Sequence, residues 1–164
     1  MRNARRYAAA FGGRPAAARP AMRVAVVACM DARLDPRGLL GLRDGDAHVL
    51  RNAGGVVTPD VIRSLTISQR LLGTTEIVLI QHTRCGMMTI TDDEFRARLR
   101  ADTGAEPDWD TGAFASLEQS VADSAARIVA SPFVPRTDAI RGFVFDVETG
   151  VLGEIPLPRP AYTR

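Results

Sequence analysis

The chain has 164 residues, 46% of them hydrophobic, which is enough for one buried core and short for two domains. Twenty-one basic residues against nineteen acidic ones leave a net charge of +2, too small to imply a nucleic-acid surface, and no apolar run approaches the roughly 20 residues that span a bilayer. Two cysteines, neither in a C-x-x-C pair, exclude a disulfide framework and predict a reducing, cytoplasmic setting in which thiols serve a metal or catalysis. Every basic residue is arginine, a compositional bias from which no partner follows.

Residues 1–21 read as an N-terminal arm. They carry arginine without one acidic residue, with Tyr7, Ala8 and Phe11 at helical spacing before Gly12-Gly13-Arg14-Pro15 breaks the pattern. An Arg-rich, acid-poor start is also the composition of a transit peptide, but the preferred reading is an arm that frays alone or lies on a partner subunit.

The domain proper is read over residues 22–155. Val24-Ala25-Val26-Val27-Ala28 is a continuous apolar run, the pattern of a strand buried on both faces in a parallel sheet, and it delivers Cys29, Asp31 and Arg33 in quick succession. Pro36 to Leu42 predicts a short helix closed by the turn cluster Arg43-Asp44-Gly45-Asp46. Ala47-His48-Val49-Leu50 predicts the second strand, followed by Arg51-Asn52-Ala53-Gly54-Gly55. Those paired glycines match neither G-x-G-x-x-G nor the P-loop, so tight packing beside a site is the better expectation than a phosphate cradle.

Thr58-Pro59-Asp60 is a helix start, with a capping hydroxyl, a proline for the first turn and an acid for the dipole. The apolar positions Val61, Leu65 and Leu72, with Ile62 and Ile67 alongside, make this a helix that crosses back over the sheet, stopped by Gly73. Glu76 to Ile80 is the third strand, completing a right-handed βαβ unit. Thr91 and Glu94 form a capping box for a helix through Phe95 and Leu99, and Ala101 to Gly112 reads as a surface excursion. Leu117 to Val129 is the next helix, Gly142 to Val147 the fourth strand, and Glu148-Thr149-Gly150 turns it into an antiparallel edge strand ending at Ile155. Residues 156–164, with Pro156, Pro158 and Pro160, read as an extended tail.

In a parallel sheet, functional groups gather beyond the carboxyl ends of strands. Cys29 ends the first strand; His82 and Cys85 follow the third. If those strands are neighbours, two thiols and an imidazole meet in one crevice, a donor set suited to zinc with a fourth position open. A cysteine after a buried strand also serves as a small hydrophobe, and spacing alone leaves both readings standing. With only His48 and His82 in the chain, a three-histidine site is excluded.

Cys29-Met30-Asp31-Ala32-Arg33-Leu34-Asp35 and His82-Thr83-Arg84-Cys85-Gly86-Met87 together resemble the paired C-x-D-x-R and H-x-x-C signatures of the β-class carbonic anhydrases, in their shorter branch. The resemblance also takes in Arg51-Asn52-Ala53-Gly54, the helix from Pro59 to Leu72, and Arg141 to Glu154. It implies an α/β fold with a mainly parallel sheet of order 2-1-3-4, an antiparallel edge strand and helices on both faces. It implies Zn²⁺ on Cys29, His82 and Cys85, with Asp31 and Arg33 as a catalytic dyad that orients a hydroxide for attack on CO₂, giving bicarbonate and a proton. It further implies a closed form in which Asp31 becomes the fourth zinc ligand, and a homodimer or dimer of dimers with its clefts at the subunit interface. Arg84 departs from the pattern, since many relatives carry an acid there; it should point outward. Carbon disulfide and carbonyl sulfide are alternative substrates for the same chemistry, and a purely structural zinc in a binding module is the non-enzymatic alternative.

Overall fold

Val24 to Cys29 forms β1 (Val24–Cys29), and its alternate side chains divide between the two faces of the sheet. The computed structural model describes residues 1–12 and 17–157. In chain order the remaining elements are α1 (Arg2–Ala10) ahead of β1, then α2 (Pro36–Leu40), β2 (Ala47–Asn52), α3 (Pro59–Arg70), β3 (Glu76–His82), α4 (Asp92–Thr103), α5 (Leu117–Ala130), β4 (Ile140–Phe145) and β5 (Leu152–Ile155). The sheet runs β2-β1-β3-β4-β5, with parallel pairs throughout except the antiparallel β4–β5 edge.

Each face has its own core. Ala25 and Val27 of β1 join Ile77 and Leu79 of β3 beneath Val61 and Leu65 of α3 and Val121, Ala125 and Ile128 of α5. On the other face Val26, Ala28 and Ile80 pack with Leu34, and the short α2 adds cover through Leu39 and Leu40, with Met87 and Phe114 at the site end. Val24, Val49, Val78, Phe143 and Phe145 on that face therefore stay half-buried. Helix α1 buries no residue; Tyr7 stacks obliquely near Phe11 and its hydroxyl donates to Asp44 at 2.9 Å.

Local signals account for most boundaries. Thr58 caps α3 by accepting from the Val61 N–H, and the reciprocal Thr91–Glu94 capping box opens α4. Helix α2 stops at Leu40 rather than Leu42 because Gly41 turns left-handed, at φ 65°. Strand β3 runs two residues past Ile80, since pairing of Gln81 with Val144 and His82 with Phe145 keeps both in the sheet. Helix α4 continues to Thr103 and ends at left-handed Gly104, so the surface excursion starts later than the composition suggests. Strand β4 ends at Phe145 because the Asp146 carboxylate accepts from the N–H groups of Glu148 and Thr149 and starts the turn early. Of the readings on the terminal segments, Gly13 to Ala16 and Pro158 to Arg164 lie outside the described residues.

The turn after β2 is a tight fit. A Cβ on Gly55, where φ is +64°, would stand 2.6 Å from the Cys29 nitrogen, whereas one on Gly41 would meet nothing within 4 Å. Gly55→Ala combines a left-handed penalty with backbone overlap and should cost at least about 3 kcal/mol, against about 1 kcal/mol for Gly41→Ala, whose penalty is conformational alone. Urea unfolding of the two variants measures the difference.

Candidate metal centre

Parallel register places the carboxyl ends of β1 and β3 side by side: Ala28 stands opposite Ile80, so Cys29, the last residue of β1, ends beside Gln81 and His82. From His82 the chain turns through Thr83 and Arg84 to bring back Cys85. Arg84 makes that turn possible by adopting a left-handed backbone, at φ 55°. The Cys29 and Cys85 sulfurs lie 3.9 Å apart, and the three donor atoms of Cys29, His82 and Cys85 all lie within 4.8 Å of one another. All three residues are buried and both thiols are free.

His82 Nδ1 lies 2.9 Å from the Thr83 carbonyl, which can only accept, so Nδ1 carries the proton and Nε2 presents a lone pair. That Nε2 is buried without a hydrogen-bond partner. A buried polar atom left orphaned between two thiols is costly unless something else binds it. Zn²⁺ fits: two sulfurs bound at about 2.3 Å in tetrahedral geometry stand about 3.8 Å apart, close to the observed separation and far from a disulfide. Backbone support for the imidazole is what a histidine ligand requires.

Protonation follows the same geometry. Cys29 is held well below the usual thiol range, chiefly because Cys85 donates to its sulfur, with His82 adding to the effect against the opposing cost of burial. Cys85 is raised for the complementary reason, its contact with Cys29 and then its burial. The two sulfurs compete for a proton, and a divalent cation bound between them would favour its release. His82 is raised chiefly by the Cys29 sulfur beside it, against the opposing effect of burial.

Asp31 and Arg33 form a fork beside these donors. Asp31 Oδ1 accepts from the Arg33 backbone N–H and from Nε, each at 2.9 Å, and Oδ2 accepts from Nη2 at 2.7 Å. These contacts, the side-chain ones first, hold the Asp31 carboxyl far below the ordinary carboxylate range. Oδ2 lies 3.7 Å from His82 Nε2, but Asp31 is not among the donors that all lie within 4.8 Å of one another. Arg33 Nη2 also reaches the Arg84 carbonyl at 3.1 Å, tying the two donor-bearing turns together. Arg84 itself points outward, 3.0 Å from Glu148, as its place between the donors suggested. His48 stays away from the centre, with Nδ1 2.8 Å from the Ser68 hydroxyl.

Sequence reasoning gave Arg51 no role beyond its place in the Arg51-Asn52-Ala53-Gly54 stretch of the resemblance. Its Nε donates to the Cys29 carbonyl at 2.9 Å, and its Nη2 to the carbonyls of Asp31 and Leu34 at 2.7 and 2.8 Å. One guanidinium thus fixes the backbone that carries both a candidate ligand and the dyad. The parallel register of Arg51 with Ala28, at the same sheet edge as Cys29, brings it there.

These observations define an α/β protein with two thiols and one imidazole, a group that could hold a metal ion, at the ends of adjacent parallel strands. Comparison with known proteins agrees. The carbonic anhydrase family model matches residues 24–152. Beta-carbonic anhydrase 1 of Mycobacterium tuberculosis (strain H37Rv) is 52% identical over 149 residues, covering 91% of each chain. A carbon disulfide hydrolase of Acidithiobacillus thiooxidans is 39% identical over 151 residues, covering 79% of this chain and 75% of that protein. The carbonic anhydrase of Streptococcus mutans superposes with a TM-score of 0.89 at 44% identity, covering 94% of each chain. The chain belongs to the β-class carbonic anhydrase family.

Removing the Arg51 fork should leave the sheet folded but loosen the Cys29 turn. Zinc affinity of Arg51→Ala, measured by competition with a chromophoric chelator, should fall about 10- to 100-fold, as it does when outer partners of metal ligands are lost. Unaltered affinity would show that the turn holds itself.

Proposed function

We propose that this protein catalyses the reversible hydration of CO₂ to bicarbonate and a proton, with Zn²⁺ held by Cys29, His82 and Cys85. The observation that carries the reading is the orphaned, buried His82 Nε2 between two free thiols. When bound there, Zn²⁺ supplies Lewis acidity that brings the pKa of water from 15.7 down toward neutrality.

The rest is done by the chain. An ionised carboxylate has about four acceptor positions. Arg33 fills two on Oδ1 and one on Oδ2, leaving a single free position on the oxygen that faces His82. Asp31 uses that position to accept a hydrogen bond from the attacking water and so aims the remaining lone pair at the carbon of CO₂. Arg33 keeps the carboxylate charged and oriented by a paired, charge-assisted contact. The same free position suits Asp31 to act as a fourth zinc ligand, which would close the site to water.

The half-buried apolar face formed by Val24, Val49, Val78 and Phe143 supports a homodimer or a dimer of dimers, with the arm of residues 1–21 laid on a second copy. Free thiols support a cytoplasmic location. Among the described residues no helix is long and apolar enough to cross a membrane. A 17.7 kDa species in sedimentation equilibrium would contradict the dimer.

Stopped-flow CO₂ hydration, with a parallel carbon disulfide assay, tests the activity. The zinc-loaded protein should hydrate CO₂ and the chelated protein should not. Asp31→Asn should retain zinc and lose turnover about 10- to 100-fold, while Cys85→Ala should lose the metal. Equal CO₂ hydration by Asp31→Asn and the natural protein would refute the role given to Asp31.

A further inference from the structure

The excursion after α4 is held more firmly than its exposed position requires. Helix α4 buries no residue, yet Arg96 on it is only 20% exposed. Its Nη1 donates to the Pro107 carbonyl at 2.8 Å, and its Nη2 to the Trp109 carbonyl at 2.7 Å and to Asp110 at 3.2 Å. Asp92, ion-paired with Arg96, accepts from the Thr111 N–H at 2.9 Å and the Thr111 hydroxyl at 2.8 Å. Two side chains one helical turn apart thus clamp residues 107–111 onto α4.

The clamped segment leads directly to the candidate metal centre. Gly112 presses on Val56, where an added Cβ would stand 3.0 Å from Cγ2. The Phe114 N–H then donates to the Met87 carbonyl, two residues after Cys85, at 3.3 Å. A Cβ on Gly54 would meet the Phe114 ring and the Met87 side chain, each at 3.1 Å, and the adjoining Gly55 abuts the Cys29 backbone. Phe114 and Met87 pack against the cluster that contains both cysteine donors. Methionine adapts its shape, whereas a phenyl ring held by its backbone does not.

We propose that Phe114, positioned by the Asp92–Arg96 clamp, is a specificity-determining wall that limits the size of the linear molecule reaching the centre. The inference rests on the zinc-dependent hydration proposed above. CO₂, carbonyl sulfide and carbon disulfide offer the same electrophilic carbon and differ in replacing oxygen by the larger sulfur. Water adds to carbonyl sulfide to give CO₂ and H₂S, and two waters convert carbon disulfide to CO₂ and two H₂S, with no oxidant or reductant needed. A rigid ring against Gly54 favours the oxygen compound.

The test compares the zinc-loaded natural protein with Phe114→Ala, Phe114→Leu and Arg96→Gln. Calorimetry gives the dissociation constants of cyanate and thiocyanate, linear anions that differ by one oxygen-to-sulfur exchange. The affinity ratio should move toward thiocyanate by about tenfold in Phe114→Ala, the scale of one added group in an apolar pocket. It should move the same way by a smaller factor in Phe114→Leu and in Arg96→Gln. The kcat/KM for carbonyl sulfide relative to CO₂ should rise in parallel, mainly through KM. Anion ratios within twofold of the natural protein in the Phe114 variants, at one zinc per chain, overturn the proposal. Phe114→Leu carries the comparison if Phe114→Ala fails to fold. A natural protein that binds both anions without hydrating CO₂ would refute the activity, while the anion ratio would still decide the role of Phe114.

Discussion

The parallel register of β1 on β3 is the constraint on which the rest depends. Because Ala28 stands opposite Ile80, the last residues of both strands, Cys29 and His82, reach the same edge of the sheet. Two thiols and an imidazole that are more than 50 residues apart in sequence, counting from Cys29 to His82, become neighbours without any long loop to position them. A slip of one residue would turn the apolar side chains of β1 from the face on which they now pack to the other, since side chains alternate along each strand. The core on both sides resists that slip: Val26 and Ala28 belong to one face, Ala25 and Val27 to the other, and neither set tolerates exchange.

Arginine then does the local fixing. Arg33 grips the Asp31 carboxylate and the Arg84 carbonyl, while Arg51 grips three carbonyls of the turn that follows β1. A planar guanidinium can direct several N–H groups at fixed angles, which a lysine ammonium cannot. The glycines after β2 supply the complementary property, absence of volume, so that this turn lies directly against Cys29. Rigid forks from one side and close backbone contact from the other leave the donors few alternative positions.

Much of this was legible in the amino-acid sequence. The apolar run of β1 and the caps at Thr58 and Thr91 follow from patterns of side-chain type, and the order of the sheet from the resemblance that the two signatures carry. The donors stood out because the only two cysteines flank the ends of two such runs. What escaped was set by partners distant in sequence. Strand β3 reaches His82 because β4 pairs with it, which no local propensity reveals. The contacts of Arg51 are with carbonyl oxygens, which every residue possesses, so nothing in the sequence marks them. The left-handed backbone of Arg84 is likewise imposed by the turn between two donors and is not signalled by a glycine. The clamp of Arg96 on Pro107 and Trp109 hides within a segment whose composition reads only as polar.

The account stands or falls on the identity of the atoms around the metal. X-ray absorption at the zinc edge of the protein as isolated measures this most directly. Two sulfur scatterers at about 2.3 Å with one imidazole nitrogen at about 2.0–2.1 Å and one further light atom are the expected result. A shell built of oxygen and nitrogen alone, or zinc absent from fully folded protein, would contradict it.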